Sequence, residues 1–508
     1  MPLTKIVCTL GPATDNPATL RAMIQAGMTV ARLNFSHGSA DEKRRTAAMV
    51  REVAAEEGRY VAVMGDLQGP KIRVGKLPEA GIDLKAGDKV VLLATEAAPT
   101  KRDAAGNAPW EVPFPHADII EDVQSGDRLL LDDGAIELKV VGTEASRVTC
   151  RVVVGGNLTS NKGVNLPGVA LDIPVLTEKD RADALLALEL ELDYLALSFV
   201  RRGSDVEVLR DHLLDHIDTS VVRRVGEDPH KIPGIVSKIE KPEALDDLEA
   251  IVNDSDAVMV ARGDLGVEIA PERVPLVQKR IIHLCNRLGK PVITATQMLQ
   301  SMIDLPRPTR AEASDVANAI LDGSDAVMLS GETSIGSYPI ETVQMMARIA
   351  ENVEQSEDFP YNQLLEVEPA DRLPSVTERS TEETVTTAIS RATVTLSKST
   401  DAAAIISSSE SGRTARIVAR HRPRVTLLGV TPFESTARRM QLMWGVGALV
   451  ISPFRTTDEM IQRMVRAAYE RGCVGLNDNV VLTAGIPLEV HGVTNMVKVH
   501  TIREIDLP

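Results

Sequence analysis

Aromatic side chains account for only 3% of the 508 residues, so the cores must be aliphatic, built from Val, Ile, Leu, Met and Ala. Cysteine is scarce too: Cys8, Cys150, Cys285 and Cys473 are scattered without metal-ligand spacing, which fits a reduced cytoplasm. Cations are in deficit, 56 Lys and Arg against 72 Asp and Glu, a net charge of −16. That excludes the broad basic surface on which non-specific nucleic-acid binding depends. No apolar run approaches the ~20 residues needed to span a bilayer. The stretch Met1–Leu10 has no basic region followed by a long apolar one, so no signal peptide is expected. The expectation is a soluble, cytoplasmic protein with neither a nucleic-acid nor a membrane partner. Also missing are a Gly-x-x-x-x-Gly-Lys-Ser/Thr loop and the protein-kinase signature set. If this chain handles phosphates, it uses neither common nucleotide cradle and must gather its few cations locally.

What is present is a repeated grammar: a short apolar run, a polar or Gly-containing motif, then a helical stretch. The runs are Lys5–Leu10, Val30–Asn34, Tyr60–Asp66, Asp193–Phe199, Gly234–Ile239, Ala257–Ala261, Pro291–Ala295 and Asp325–Leu329. Buried parallel strands read as near-continuous aliphatic runs because helices cover them. Eight such units predict a (β/α)8 TIM barrel, whose chemistry sits at the C-terminal strand ends. The unusual polar motifs of this chain follow those same ends, among them Ser237-Lys-Ile-Glu240, Ala261-Arg-Gly-Asp-Leu-Gly266 and Ser330-Gly-Glu-Thr333.

The third unit is interrupted after Gly69-Pro70 by alternating short strands with turn signals, a small all-β insertion that ends near Gly168, and the helix due after it is expected at about Glu178–Leu190. Glu357–Glu382 reads as a charged, Pro-containing connector, and beyond it an open α/β arrangement is expected, with a closing strand hairpin over Val480–Ala484 and Met496–His500. The predicted domains are a barrel (residues 1–70 and 168–350), an inserted β lid (71–167) and a C-terminal α/β domain (351–508).

Lys238 and Glu240 flank Ile239, so at period two both side chains leave the same side of a strand. Turned into a barrel they would be costly unless each had a task. Asp264 follows one strand later, and two carboxylates with oxygen donors only suit Mg²⁺ or Mn²⁺ completed by substrate oxygens and water. A buried Lys–Glu salt bridge explains the pair alone equally well. Arg32, Arg73 and Lys162 could join Lys238 around a polyphosphate, though a single Arg or Lys is more often a solvated charge.

Taken as a set, these motifs resemble the pyruvate kinase family. The matching segments are Thr4–Pro12, Ala31–Gly38, Gly163-Val-Asn-Leu-Pro-Gly168, Ser237–Glu240, Ala261–Glu268, Ala295-Thr-Gln-Met298, Pro308-Thr-Arg-Ala-Glu312 and Met328-Leu-Ser-Gly-Glu-Thr333, in the family's order. The resemblance implies phosphoryl transfer from phosphoenolpyruvate to ADP, giving pyruvate and ATP. It implies Glu240 and Asp264 as Mg²⁺ (or Mn²⁺) ligands and Lys238 as the group that stabilises the phosphoryl in flight and the developing enolate. Backbone N–H groups of Gly263 and Asp264, with Thr296, match the substrate carboxylate pocket. Thr296 and Ser330 match the proton route, and Arg32, His37, Arg73 and Lys162 match phosphate and nucleotide contacts. A regulatory C-terminal domain and a homotetramer are implied as well. Two other readings stand beside this one: a metal-dependent lyase or aldolase acting on pyruvate enolates, and a catalytically silent relative.

The chain departs from the common family pattern after the third strand, where Asp66-Leu-Gln-Gly-Pro-Lys-Ile-Arg-Val74 carries Lys71 in place of a glutamate. Members with that glutamate depend on K⁺ held near the residues matching Asn34, Ser36, Asp66 and the carbonyl of Leu67. A tethered ammonium at Lys71 would supply the same charge, so K⁺ independence is expected; the plain alternative is a solvated Lys71 with K⁺ still bound. Ser407-Ser408-Ser409-Glu-Ser411-Gly412-Arg413-Thr414 lies between an apolar run and a helix, where hydroxyls and amides take phosphate readily, and it matches the family's effector loop. The last loop, Ala484–Thr494, carries Glu489 and no Arg or Lys, so the second cationic contact a fructose 1,6-bisphosphate needs is missing and a sugar monophosphate or AMP is at least as plausible an effector.

Overall fold

The computed structural model describes residues 1–96, 108–169, 173–217, 228–361, 381–487 and 493–507. Eight parallel strands close a barrel: β1 (Lys5–Leu10), β2 (Val30–Asn34), β3 (Ala62–Asp66), β4 (Tyr194–Leu197), β5 (Gly234–Ile239), β6 (Ala257–Ala261), β7 (Val292–Ala295) and β8 (Ala326–Leu329). Neighbours pair in sequence order and β8 closes on β1 through Lys5↔Ala326 to Cys8↔Leu329. Each strand coincides with one expected apolar run, trimmed by one to three residues at β3, β4, β7 and β8.

Period-two alternation sorts each strand into an outer and an inner set. Ile6, Cys8 and Leu10 pack outward among the helices, while Val7, Val30, Met64, Val236 and Met328 share a separate interior cluster. Carrying the inner phase to the strand ends brings Thr9, Arg32, Asp66, Ser198, Lys238 and Ser330 to one layer at the mouth. The barrel centre is therefore filled, and the first polar layer lies at the C-terminal end of the strands.

Between β3 and β4 the chain builds a six-stranded sheet running from Val164–Asn165 through Arg128–Leu131, Ile136–Glu144, Arg147–Val154 and Lys89–Leu93 to Trp110–Pro113, with its own aliphatic core. The insertion is not purely β, because Ala117–Asp122 is a short helix. The delayed helix of the third unit spans Glu178–Glu189, capped by Thr177 and Asp180 in a reciprocal box. Of the predicted connector, residues 362–380 lie outside the described residues, as does Glu489.

The C-terminal part is a five-stranded sheet of β9 (Ala404–Ser408), β10 (Thr426–Thr431), β11 (Val446–Val450), β12 (Asn479–Ala484) and β13 (Met496–Thr501), in the order β11-β10-β9-β12-β13. Only β13 is antiparallel, forming the expected hairpin with β12. This part seals the floor of the barrel: Leu442 joins the barrel's interior cluster. Arg422 reaches Asp325 at 3.1 Å, just before β8, and lies 4.8 Å from the Trp444 ring. Arg438 and Arg51 both grip Asp193, just before β4, at 2.8 and 3.3 Å. Lys5 donates to the Val446 carbonyl at 2.8 Å.

Candidate active site

At the barrel mouth Asp66, 2% exposed, is held between two cations. Arg32 Nε donates to its Oδ2 at 2.7 Å, and Lys238 Nζ stands 3.4 Å from its Oδ1. Lys238 also pairs with Glu240 Oε1 at 2.8 Å and donates to Ser198 Oγ at 2.7 Å, while Ser198 donates onward to the Leu67 carbonyl at 2.7 Å. The guanidinium of Arg32 is pinned a second time by Thr9 Oγ1, 2.9 Å from Nη1. Residues distant in the chain thus form one bonded layer, and neither cation is free to turn.

Burial alone would pull Lys238 down, but the Asp66, Glu240 and Asp264 carboxylates outweigh it and hold the ammonium above its ordinary range. Burial also works against the Asp66 carboxylate, yet Arg32 and Lys238 hold its pKa below the usual value. Glu240 behaves differently. Its burial, reinforced by Asp264, raises it to about 7 despite Lys238 and the Phe199 N–H, which donates to Oε2 at 2.7 Å. Lys238 is shared among Asp66, Glu240 and Asp264, so positive charge is thin around Glu240. A hard divalent cation fits that deficit. The donors are oxygens only, and two carboxylates leave the remaining positions to ligand oxygens and water. Among the described residues no cluster of three or more His, Cys, Asp or Glu forms a closed metal cage.

Asp264 lies in the first turn of the short helix Arg262–Glu268 and lines a cleft of about 1080 Å³ together with Lys71, Gly263, Thr296 and Ser330. That space accommodates a small acid and the phosphates of a nucleotide together. The Gly263 N–H donates to Thr296 Oγ1 at 2.7 Å, and the hydroxyl donates in turn to the Ala295 carbonyl at 2.7 Å. Thr296 (φ 71°), Gln297 (φ 54°) and Phe199 (φ 56°) all adopt left-handed backbone at strand ends. For side chains other than glycine this costs on the order of 1–3 kcal/mol each and survives only where neighbours over-determine it. Glu332, fully buried, accepts from both Ser330 N at 2.7 Å and Leu299 N at 3.1 Å, tying the Ser330 turn to the Thr296 turn.

The other expected residues are more dispersed. His37 is exposed and lines a neighbouring cavity with Thr9, Asn34 and Lys43. Arg73 donates to the Asn161 carbonyl at 2.7 Å, and Lys162 pairs with Asp132 at 2.6 Å, so both attach to the insertion at its base. Lys71 faces the cleft that holds Asp264, its Cε 3.4 Å from where a Cβ on Gly163 would stand. Around the expected monovalent-ion position, Asn34 Oδ1 accepts from Ser36 N at 3.0 Å, Asp66 takes Arg32 and Lys238, and the Leu67 carbonyl takes Ser198. Glu268 receives both Asn165 from the insertion, at 2.8 Å, and Lys241 from the end of β5.

In the C-terminal sheet, Ser407 and Ser408 end β9, Ser411 follows in the turn, and Gly412 (φ 81°) leads into the helix Arg413–Ala419. Ser407 Oγ is buried without a partner, Ser409 Oγ takes Thr414 N at 3.3 Å, and Thr414 shares its hydroxyl with Thr494 at 2.8 Å.

Sequence reasoning missed Thr9, Ser198, Arg262 and Glu332. Thr9 and Ser198 carry a signal in hindsight, since each is a hydroxyl in inner phase at a strand's polar end. Arg262 and Glu332 lie inside recognised motifs but reveal their roles only once two turns meet.

Comparison with known proteins agrees along the chain. A model of the pyruvate kinase barrel domain matches residues 1–343, and a model of the pyruvate kinase alpha/beta domain matches residues 387–500. The pyruvate kinase of Geobacillus stearothermophilus is 44% identical over 504 residues, covering 99% of this chain and 81% of that protein. Pyruvate kinase 2 of a Synechocystis strain is 44% identical over 506 residues, covering 99% of this chain and 80% of that protein. A crystal structure of a pyruvate kinase from Cryptosporidium parvum superposes with a TM-score of 0.86 at 34% identity, covering 98% of this chain and 96% of that one.

Proposed function

This chain belongs to the pyruvate kinase family, and from that premise we propose that its barrel mouth transfers the phosphoryl group of phosphoenolpyruvate to ADP with the help of Mg²⁺ or Mn²⁺. The observation that carries the reading is the single bonded layer of Arg32, Asp66, Lys238 and Glu240, whose Lys238 and Glu240 feel the charge of Asp264, a residue of the cleft that also holds Thr296.

Phosphoryl transfer asks little covalent help of a protein; it asks for charge neutralisation and alignment. Glu240 and Asp264 would hold the metal, which when bound supplies positive charge to substrate oxygens. Lys238, fixed by Ser198 and two carboxylates, meets the phosphoryl group and then the enolate oxygen. Arg32, pinned by Thr9 and Asp66, faces the phosphate. The substrate carboxylate sits at Gly263, Asp264 and Thr296. There the Gly263 N–H now spent on the Thr296 hydroxyl is the donor an incoming carboxylate would claim. Thr296 and Ser330 lie on the path by which a proton reaches the enolate carbon, completing pyruvate. His37, Arg73 and Lys162 serve the nucleotide. The last two ride on the insertion, which acts as a lid that dries the cleft on closing.

We further assign barrel, lid and regulatory domains to residues 1–70 with 168–350, 71–167 and 351–508. Lys71 stands in for K⁺, so the enzyme works without that ion. The turn Ser407–Thr414, with an unsatisfied buried hydroxyl at Ser407, takes the phosphate of an allosteric effector. The working assembly is a cytoplasmic homotetramer. The experiment that tests the central claim is a coupled assay for pyruvate from phosphoenolpyruvate and ADP, with Lys238→Met as control. Turnover that needs a divalent cation and falls by roughly 10²–10³-fold in the variant supports it; metal-independent turnover, or a variant with undiminished kcat, overturns it.

A further inference from the structure

Thr296 combines a β-branched side chain with φ 71°, a conformation such residues rarely accept, and Gln297 continues it at 54°. The strain is held from one side by Arg262. Its Nη2 donates to the Thr296 carbonyl at 2.7 Å and its Nε to the Ala295 carbonyl at 3.2 Å. Those two carbonyls belong to the peptide planes on either side of the Thr296 Cα, so one rigid guanidinium fixes both torsions of that residue. The fork is held in turn: Nη1 meets Asp315 at 2.8 Å, on the helix Arg310–Leu321, and Nη2 also lies 2.7 Å from Met298 Sδ. Only 12% of the Arg262 side chain is exposed, which strengthens these bonds.

We propose that Arg262, braced by Asp315, is a positioning residue for proton delivery: it holds the Thr296 hydroxyl where it can pass its proton to the enolate carbon while its oxygen takes another from solvent. The inference rests on the reading above that puts Thr296 on the proton route. At present the hydroxyl donates to the Ala295 carbonyl, the same oxygen that Arg262 Nε holds. When substrate draws the hydroxyl away, Arg262 keeps that carbonyl satisfied, so the proton turns toward the cleft without leaving an orphaned acceptor. A lysine has the charge but cannot span two carbonyls and a carboxylate at once.

Two reactions of the same enzyme separate this role from simple support. One is phosphoryl transfer from phosphoenolpyruvate to ADP. The other is exchange of pyruvate methyl protons with D2O, followed by NMR with Mg²⁺ and ATP present, which reports enolate protonation directly. Arg262→Lys and Arg262→Met are expected to slow exchange about tenfold more than they slow transfer, with Asp315→Asn shifting the ratio the same way but less. Thr296→Ala should slow exchange by itself, and adding Arg262→Met should slow it no further. If Arg262→Met fails to fold, Arg262→Lys and Asp315→Asn carry the test. Exchange and transfer falling in step in the Arg262 variants, or additive losses in the double variant, overturn the inference while leaving the role of Thr296 intact. Undiminished exchange in Thr296→Ala removes the reading of Thr296 itself, and this inference with it.

Discussion

At the floor of the barrel Asp193 and Asp325 are each held by arginine and backbone N–H donors, whereas at the mouth Asp264 opens onto a cleft, and Glu240, though met by Lys238 and the Phe199 N–H, is pushed up to about 7 by burial and the nearby Asp264 charge. The physics is the same at both ends: burial penalises charge, and guanidinium or ammonium groups offset the penalty. Asp193 takes Arg438, Arg51 and the Val63 N–H; Asp325 takes Arg422 and the N–H groups of Val292 and Trp444. The floor is a joint between two parts of the chain, where arginines from one part meet carboxylates of the other. The mouth leaves Asp264 facing open space, which is where the proposed function places a ligand. A buried ion pair is therefore weak evidence of function, and an unbalanced group of them is stronger evidence.

The largest expected effect tests the mouth. Lys238→Met should lower kcat by roughly 10²–10³-fold, the scale of losing one preorganised charge stabiliser, in the coupled pyruvate assay, with the variant still folded by circular dichroism. A comparable loss of melting temperature without loss of kcat would reverse the assignment of the two ends. Next, Arg422→Met should destabilise the protein by about 3–5 kcal/mol, because it strands the buried Asp325 carboxylate, while kcat per folded molecule stays within about twofold. Denaturant melts and activity at low temperature check both halves.

A smaller effect concerns Lys5 at the floor, whose burial lowers its pKa from 10.5 to about 8, with Glu354 opposing. Below pH 8 the folded protein carries that charge at a cost. Between pH 8 and 10.5 the folded state has lost the proton while the unfolded state keeps it, so the unfolded state binds more protons and stability rises with pH. Relative to Lys5→Met, the wild type should gain up to about 1.4 kcal/mol per pH unit across that window. A flat difference between the two melting curves counts against the burial of a charged Lys5. The smallest effect returns to the mouth: replacing K⁺ by tetramethylammonium should change kcat by less than about twofold, and Lys71→Glu should make the enzyme respond to KCl. Strong stimulation of the wild type by KCl removes Lys71 from its assigned role.

The architecture was legible because each barrel strand is a separate aliphatic run ending in a polar motif, and parallel strands covered by helices must read that way. Lys238 and Glu240 were legible for a related reason, since polar residues in inner phase at a strand end have few structural uses, and Asp264 because it follows the Gly-containing turn after the next strand. Thr9, Ser198 and Glu332 were not. Their meaning depends on contacts across 23, 40 and 33 residues, with Arg32, Lys238 and Leu299, and closure of the barrel creates those contacts. The floor network was hidden for the same cause: Arg422 and Arg438 look like surface cations until the C-terminal sheet docks. The left-handed backbone at Thr296 also left no trace, because nothing in Ala-Thr-Gln-Met announces it.

The bond between Asn165 and Glu268 joins the inserted sheet to the very helix that carries Gly263 and Asp264, beside Lys241, the residue after Glu240. An outward swing of the insertion would have to give up that amide and leave Glu268 to Lys241. If the insertion moves as the proposed lid, a displacement far out on the sheet would reach Asp264 through that amide, as a tug on its own helical turn.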